Sequence, residues 1–323
     1  MIRFAAAILA IAIISVAAAA QAPTLQLTQP DGPNLPSELW YGNVKVKPLR
    51  FRPGTNTLIT IDDSDFFVSQ NYIDFLSRFP DVGGLDYWSN TQINIPCGTD
   101  QNCIYNRRAA VSAAFFVAPE FQSTGYYIYR LYTGTLGRQP TYAEFKSDRQ
   151  LVVDMGVGAG ALEATKANFA NAWVQRSEFM GKYPNTMTNT QFVNAVLQTM
   201  NTATDIGGNS IAFDLTSQSS NYINQLNGGA TRAAVTRNII DDTSYQNYFK
   251  EYNSGFVLMQ YFGYLRRGAD INGYNFWLNQ LNNRLAGDLA ALRKMVCVFI
   301  TSNEYQQRFS STRTQFDHCS TVP

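Results

Sequence analysis

Carboxylates are the first residues in this chain whose types could do chemistry. Glu120, Glu178 and Glu304 each sit in a short string of one kind: "APEFQ", "RSEFM" and "SNEYQ". Asp81 and Asp270 recur in "RFPDVGG" and "RRGADING". One protonated and one ionised carboxyl, suitably spaced, hydrolyse glycosides. That chemistry needs a unique pair. Here each acid returns at an equivalent point beside an apolar run of helical spacing, where a carboxylate caps a helix and meets the positive end of its dipole. The repetition favours capping over catalysis.

Other constellations are weaker. A Ser–His–Asp or Cys–His centre needs a histidine among partners, and the one histidine, His318, lies near the C-terminus beside Cys319. A surface or packing role suits it better. "DMGVGAGALEA", from Asp154 to Ala164, has the glycines of a phosphate loop but neither a following Lys-Ser/Thr pair nor a preceding strand, so it reads as a flexible connection between helices. "DDSD", from Asp62 to Asp65, lacks the central Gly and closing Glu of a calcium loop. Asp63, Ser64 and Asp65 are N-cap types instead, with Ile61 as an apolar staple. Tyr126, Tyr127, Tyr129 and Tyr132 would bind sugars if exposed and pack a core if buried, and the sequence leaves both readings open. No catalytic, cofactor-binding or metal-ligating residue is assigned, and no cofactor is implied.

The elements that would position these residues repeat. "FVSQNYIDFLSRFPDVGGLDYW" (67–88) and "FVLMQYFGYLRRGADINGYNFW" (256–277) align without a gap. Tyr72 then matches Tyr261, Arg78 matches Arg267, Asp81 matches Asp270, Gly84 matches Gly273 and Trp88 matches Trp277. Fainter copies begin near Tyr126, with "LGRQPT" at Leu136–Thr141, and at Phe192, with "FVNAVLQTMNTATDIGG". The copies close on "APEFQ", "RSEFM", "DTSYQ" and "SNEYQ". A period of roughly sixty residues indicates stacked helical units. The expected fold is mainly α: four divergent units near 64–125, 126–183, 190–250 and 255–310, packed together and followed by a short tail. Within a unit a helix stops near Arg78, whose cation suits the negative helix end, and Pro80 prevents continuation. Asp81 caps the next helix, and Gly84 permits close approach.

These turns resemble the bacterial family called domain of unknown function 4214, whose hallmark is similar to an aromatic-start helix, L-x-R-x-P-D-x-x-G, an aromatic beside Trp, and a closing S-x-E-F. The resemblance covers most of 64–310. The "CGTDQNC" insertion and "AAFFVAPEF" are similar to exported acidobacterial members, and the family more distantly resembles the helical linker domains of phycobilisomes, which bind other proteins. The resemblance implies a helical fold and an association role, with no catalytic residues. Gly268-Ala269 replaces the family's x-Pro pair and Asn201-Thr202-Ala203 departs further.

Composition limits the remaining possibilities. The 323 residues are 45% hydrophobic and 15% charged, a globular balance low in charge. The net charge of +1 carries no basic stripe, which argues against nucleic-acid partners. Arg3, an apolar run from Phe4 to about Val16, and Ala18-Ala19-Ala20 have the order of a secretory signal peptide cut after Ala20. That run is shorter than the roughly 20 residues of a spanning helix, so the mature chain is expected not to span a membrane. Residues 21–60 form a Pro-rich extension, expected to be irregular except for a short strand in "VKVKPLRF". The whole points to an exported, noncatalytic interaction or structural module of the cell envelope or exterior. Its expected partner is an envelope protein or an extracellular polysaccharide. A secreted carboxylate-dependent hydrolase and a carbohydrate-binding protein are the alternatives.

Export also bears on the four cysteines, Cys97, Cys103, Cys297 and Cys319. An even count in an oxidising compartment favours disulfides, and local pairing is the simplest of three possibilities. Cys97–Cys103 would close a short loop worth roughly 2–3 kcal/mol, and Cys297–Cys319 a longer one worth roughly 3–4 kcal/mol. Zinc would need about four Cys or His ligands at a recognisable spacing. Unreduced protein is expected to show no titratable thiol in denaturant; four would overturn the disulfide assignment.

Overall fold

The computed structural model describes residues 25–28, 38–41, 44–46, 61–153, 159–250, 253–284, 288–309 and 319. The signal-peptide expectation, residues 154–158 of the Gly-rich connection and His318 lie outside these residues, and the rest of that connection, Ala159 to Ala164, is not a connection but the start of the helix Ala159–Trp173. The described chain is mainly helical. The extension departs from the irregular structure expected of it. Leu25–Thr28, Glu38–Tyr41 and Val44–Val46 form a three-stranded antiparallel sheet in sequence order, with Leu25 opposite Tyr41 and Leu39 opposite Val46. None of the extension's prolines falls within these strands.

Helix starts follow side-chain chemistry. Thr141 and Thr188 make reciprocal capping boxes with Glu144 and Gln191 ahead of Tyr142–Arg149 and Asn189–Asn201. Asp100 accepts from the Asn102 and Cys103 N–H groups and opens the long helix Gln101–Val117. Pro119 occupies the first turn of Pro119–Ser123, where its missing N–H costs nothing. Asp63 is the backbone N-cap of Ser64–Asn71, and Ile61 beside it is buried.

Val82–Asp86 runs on into an eight-residue π-helical segment, Tyr87–Asn94, and three other helices end in a shorter one. Ser64–Asn71, Gly125–Leu131 and Asn253–Gln260 each widen into a five-residue π-helical turn: Tyr72–Leu76, Tyr132–Leu136 and Tyr261–Leu265. Each turn stops at a left-handed residue, Ser77 (φ 57°), Gly137 (φ 76°) or Arg266 (φ 53°). For Ser77 and Arg266 that conformation costs roughly 1–2 kcal/mol, so tertiary contacts must hold it.

Those contacts join the two ends of the helical region. Gln101–Val117 packs against Ala290–Thr301. The first and last π-turns face each other, with the Phe75 and Tyr264 rings edge to face at 5.0 Å and Phe116 against Phe256 at 4.9 Å. Between them lies Asp74, 2% exposed. Its carboxylate accepts from Gln70 Nε2 at 2.9 Å, Arg266 Nη2 at 3.0 Å, and Arg308 Nη1 and Nη2 at 3.0 and 2.9 Å. Its carbonyl accepts from Arg149. Burial opposes the charge, but Arg308 and Arg266 outweigh it and hold the carboxyl below its ordinary value. A second node lies among the middle helices. Arg130, fully buried, donates to the Ile240 carbonyl at 3.0 Å and to Asp241 at 3.2 Å, and Lys166 Nζ meets the same carboxylate at 2.5 Å. The apolar core around these nodes is continuous from Ile61 to Cys319.

Asp74→Asn leaves two arginines facing a neutral group. The expected loss is about 3 kcal/mol in urea unfolding near neutral pH. Because the carboxyl is depressed, its contribution is present above its ordinary value of 3.8 and disappears as pH falls below it. Wild type and Asp74→Asn should therefore converge in stability in strong acid. A constant difference from pH 7 to pH 2 would refute this account of Asp74.

Candidate functional site

One arrangement of arginine, glutamate and tyrosine recurs beside the three five-residue π-turns. The residue after each left-handed position is Arg78, Arg138 or Arg267. Arg78 donates through Nε and Nη2 to the two Glu120 oxygens at 2.6 and 2.7 Å. Arg138 does the same with Glu178 at 3.0 and 2.8 Å, and Arg267 with Glu304 at 2.6 and 3.0 Å. The remaining Nη1 of each turns to the carbonyl of the next residue: Phe79, Gln139 or Gly268. Each guanidinium lies about 5 Å from the ring of the tyrosine that opens the π-turn (Tyr72 4.9 Å, Tyr132 5.2 Å, Tyr261 5.3 Å). The planar fork of arginine matches a carboxylate in two parallel bonds, which fixes orientation as well as distance. Glu120, Glu178 and Glu304 stand in the first turns of Pro119–Ser123, Ser177–Lys182 and Asn303–Gln307. Each brace therefore locks a later helix start to an earlier helix end. The arginines do not serve as cations at the helix end, as the sequence suggested. The left-handed residue swings the chain across the gap before the arginine is reached.

Asp81 and Asp270 accept the Gly84 and Gly273 N–H groups, both at 2.7 Å, at the starts of Val82–Asp86 and Ile271–Asn282. The two glycines have a steric reason. A Cβ at Gly84 would meet the Tyr72 hydroxyl, and one at Gly273 the Tyr261 hydroxyl. Those tyrosines stack edge to face on Phe115 and Phe299, each at 5.0 Å, and Trp88 and Trp277 lie against the same rings.

The middle turn breaks this pattern and opens a polar cleft. Counted from the N-cap Thr141, Glu144 occupies the place of the glycine and Asp148 the place of the tryptophan. The Tyr132 hydroxyl, displaced from the glycine slot, donates to Asp148 Oδ2 at 2.7 Å, and Arg176 forks onto both Asp148 oxygens at 2.7 Å. Glu144 forks onto Arg138 at 2.7 and 3.0 Å, so one guanidinium serves two glutamates. The cleft has a volume of about 620 Å³, with Glu144, Asp148, Arg176 and Glu178 on its walls. Burial disfavours the Glu144 charge, yet Arg138 and Thr141 hold its carboxyl down at about 2. The rings beneath, Tyr132, Trp173 and Phe179, are at most 2% exposed, so the cleft offers polar groups and no stacking platform.

Other sequence candidates fall elsewhere. Tyr126, Tyr127, Tyr129 and Tyr132 are all buried, which removes them as a sugar-binding face and makes them core. Cys97 is bonded to Cys103 and Cys297 to Cys319, with Cα separations of 5.3 and 5.5 Å. Segment 190–250 carries neither arginine nor glutamate of the brace. Its helix Asn189–Asn201 runs into a loop where Asp205, 6% exposed, accepts from the Tyr274 hydroxyl at 3.0 Å. Asp74, Arg266 and Arg308 were not anticipated from sequence, nor was the pairing within each brace. The signal for the pairing was present: strings with the arginine also have the glutamate, and the segment that lacks one lacks both.

Residues 236–309 match the model of a domain of unknown function, DUF4214. The match contains the complete Arg267–Glu304 brace. No curated protein and no solved structure matches the chain.

Substitution of Gly84 tests the tyrosine slot. Alanine at a helical position ordinarily gains up to about 1 kcal/mol over glycine, but here the Tyr72 hydroxyl occupies the space. Gly84→Ala is expected to destabilise by about 1–2 kcal/mol, and adding Tyr72→Phe is expected to reverse the sign. Thermal melts of the two single variants and the double variant decide it; a stabilising Gly84→Ala alone would remove the steric argument.

Proposed function

We propose that the protein is an exported, noncatalytic association module, built of four divergent helical units and acting on the cell envelope or outside the cell. One observation carries this reading: the recurrent acids are consumed in structural pairs. Glu120, Glu178 and Glu304 are each locked onto an arginine, and Asp81 and Asp270 onto backbone N–H groups. A glycoside hydrolase needs one carboxyl raised far enough to carry a proton near neutral pH. Among the described carboxyls whose acidity is shifted, Asp74, Asp81, Glu144 and Asp214 are all held down. The likeness of the turns to exported acidobacterial members and, more distantly, to phycobilisome linker domains supports association. The Arg3-led apolar segment supports export. Among the described residues no helix is long and apolar enough to cross a membrane.

The hydrolase reading has one observation in its favour, the cleft with Glu144 and Asp148, two acids absent from the equivalent turns. Their bonding weighs against it. Asp148 accepts from Tyr132 and twice from Arg176, and Glu144 is an ionised acceptor with no proton to give. The cleft is suited to holding a polar group, not to protonating one.

Oxidised protein comprising residues 21–323 should co-sediment saturably with one fraction of the host envelope or with its extracellular polysaccharide. Absence of retention by every fraction, together with turnover in a broad hydrolase screen that Glu144→Gln abolishes, would replace this reading with the enzymatic one.

A further inference from the structure

The molecule has a second concave site, apart from the polar cleft and opposite in character. It is a cavity of about 180 Å³ where Gln101–Val117, Asn253–Gln260 and the start of Ala290–Thr301 come together. Its walls are mostly apolar. Ala113 and Ala114 leave the space that larger side chains would fill, and Phe116, Phe256 and Leu292 close it. Val117 and Leu289, 48% and 49% exposed, extend the apolar surface at this site to solvent.

Two cations share this lining, Arg284 and Arg293. Asn253 Oδ1 accepts from Arg284 Nε and Nη2 at 3.4 and 3.2 Å, and the Asp288 carbonyl accepts from Nη1 at 2.8 Å. Both of these acceptors are neutral. The Asp288 carboxylate is turned to the Ala290 N–H at 2.8 Å. Among the described residues neither Arg284 nor Arg293 has a carboxylate within ion-pair distance. Most other arginines here are paired: Arg78, Arg130, Arg138, Arg176, Arg237, Arg266, Arg267 and Arg308 all meet acids. Arg284 is thus held in place by neutral groups, with no counter-charge among the described residues.

We propose that this cavity binds a small amphiphilic carboxylate, with an aryl or short alkyl group in the apolar chamber and the carboxylate against Arg284 and Arg293. Size supports one ring or a short chain: an apolar protein cavity of about 150 Å³ accommodates benzene. Lining chemistry excludes a saccharide, whose hydroxyls would lose water and find few partners. Charge selects an anion, and the guanidinium fork favours a planar one. This site goes beyond the association role proposed above and does not depend on it.

The test uses oxidised residues 21–323 titrated calorimetrically with 3-phenylpropanoate and hexanoate, and with 3-phenylpropan-1-ol and hexan-1-ol as uncharged equivalents. The acids should bind saturably and at least about ten-fold more tightly than the alcohols. Arg284→Gln with Arg293→Gln should bring acid and alcohol to equal affinity, because only the charge contact is lost. Ala113→Leu should abolish binding of both by filling the chamber, with a thermal melt confirming that the variant is folded. Equal binding of acid and alcohol to the unaltered protein would overturn the proposal. So would undiminished binding to folded Ala113→Leu, or no saturable binding of either acid up to about 10 mM.

Discussion

A carboxylate with almost no access to water has to be neutralised by its surroundings, and Asp74 is such a group. Isolated, its burial would cost several kcal/mol. The cations that compensate it come from far along the chain, Arg266 and Arg308, with Arg149 reaching its carbonyl. One residue therefore dictates that the first and last π-turns meet. Alignment of the two turns shows how they fit. Asp74 stands where the other turn has Gly263, and Arg266 stands where the first has Ser77. A Cβ at Gly263 would meet the Phe75 ring. The two turns are thus complementary at the positions where they face each other and alike where they do not.

The braces apply the same logic at lower cost. Arg267 and Glu304 are 41% and 46% exposed, so solvent screens them and their pairing contributes at most about 1 kcal/mol. Arg78 and Glu120, 17% and 20% exposed, are better shielded. Their main effect is geometric: a two-point fork sets the angle between one helix's end and a later helix's beginning. Where the brace is absent, in segment 190–250, a different acid does the joining. Asp205 is bound by the Tyr274 hydroxyl, and Gln139 meets the same hydroxyl at 3.2 Å.

Much of this was legible in the residues. Helical periodicity, the Asp81 and Asp270 caps and the recurrence of the turns all depend on neighbours in sequence, and local chemistry is what a sequence displays directly. The Tyr cluster at 126–132 was ambiguous because spacing places four rings on a helix without saying what covers them. For a related reason Arg78 departs from the helix-end role its position implies. By spacing its helix ends in time for a terminal cation, and only the extra residue of the π-turn and the left-handed Ser77 redirect it to Glu120. The Asp74 node was illegible because its members are polar residues scattered over the chain, and no periodicity links an acid to cations that distant. The cleft was hidden differently: Glu144 and Asp148 look like ordinary helix-surface acids until the turn is superposed on the two that hold Gly and Trp there.

The packing of Gln101–Val117 against Ala290–Thr301 has a kinetic side. Contacts between distant segments are slow to form, because loop closure must precede any stabilisation from them. A chain emerging from its N-terminus presents the first of these helices long before the second exists. Until then its apolar face has no cover, and burying Asp74 would leave the carboxylate without Arg266 and Arg308, so its early segments gain little by settling alone. Such an order of events keeps the growing chain loose and makes its final helices the step that commits the rest.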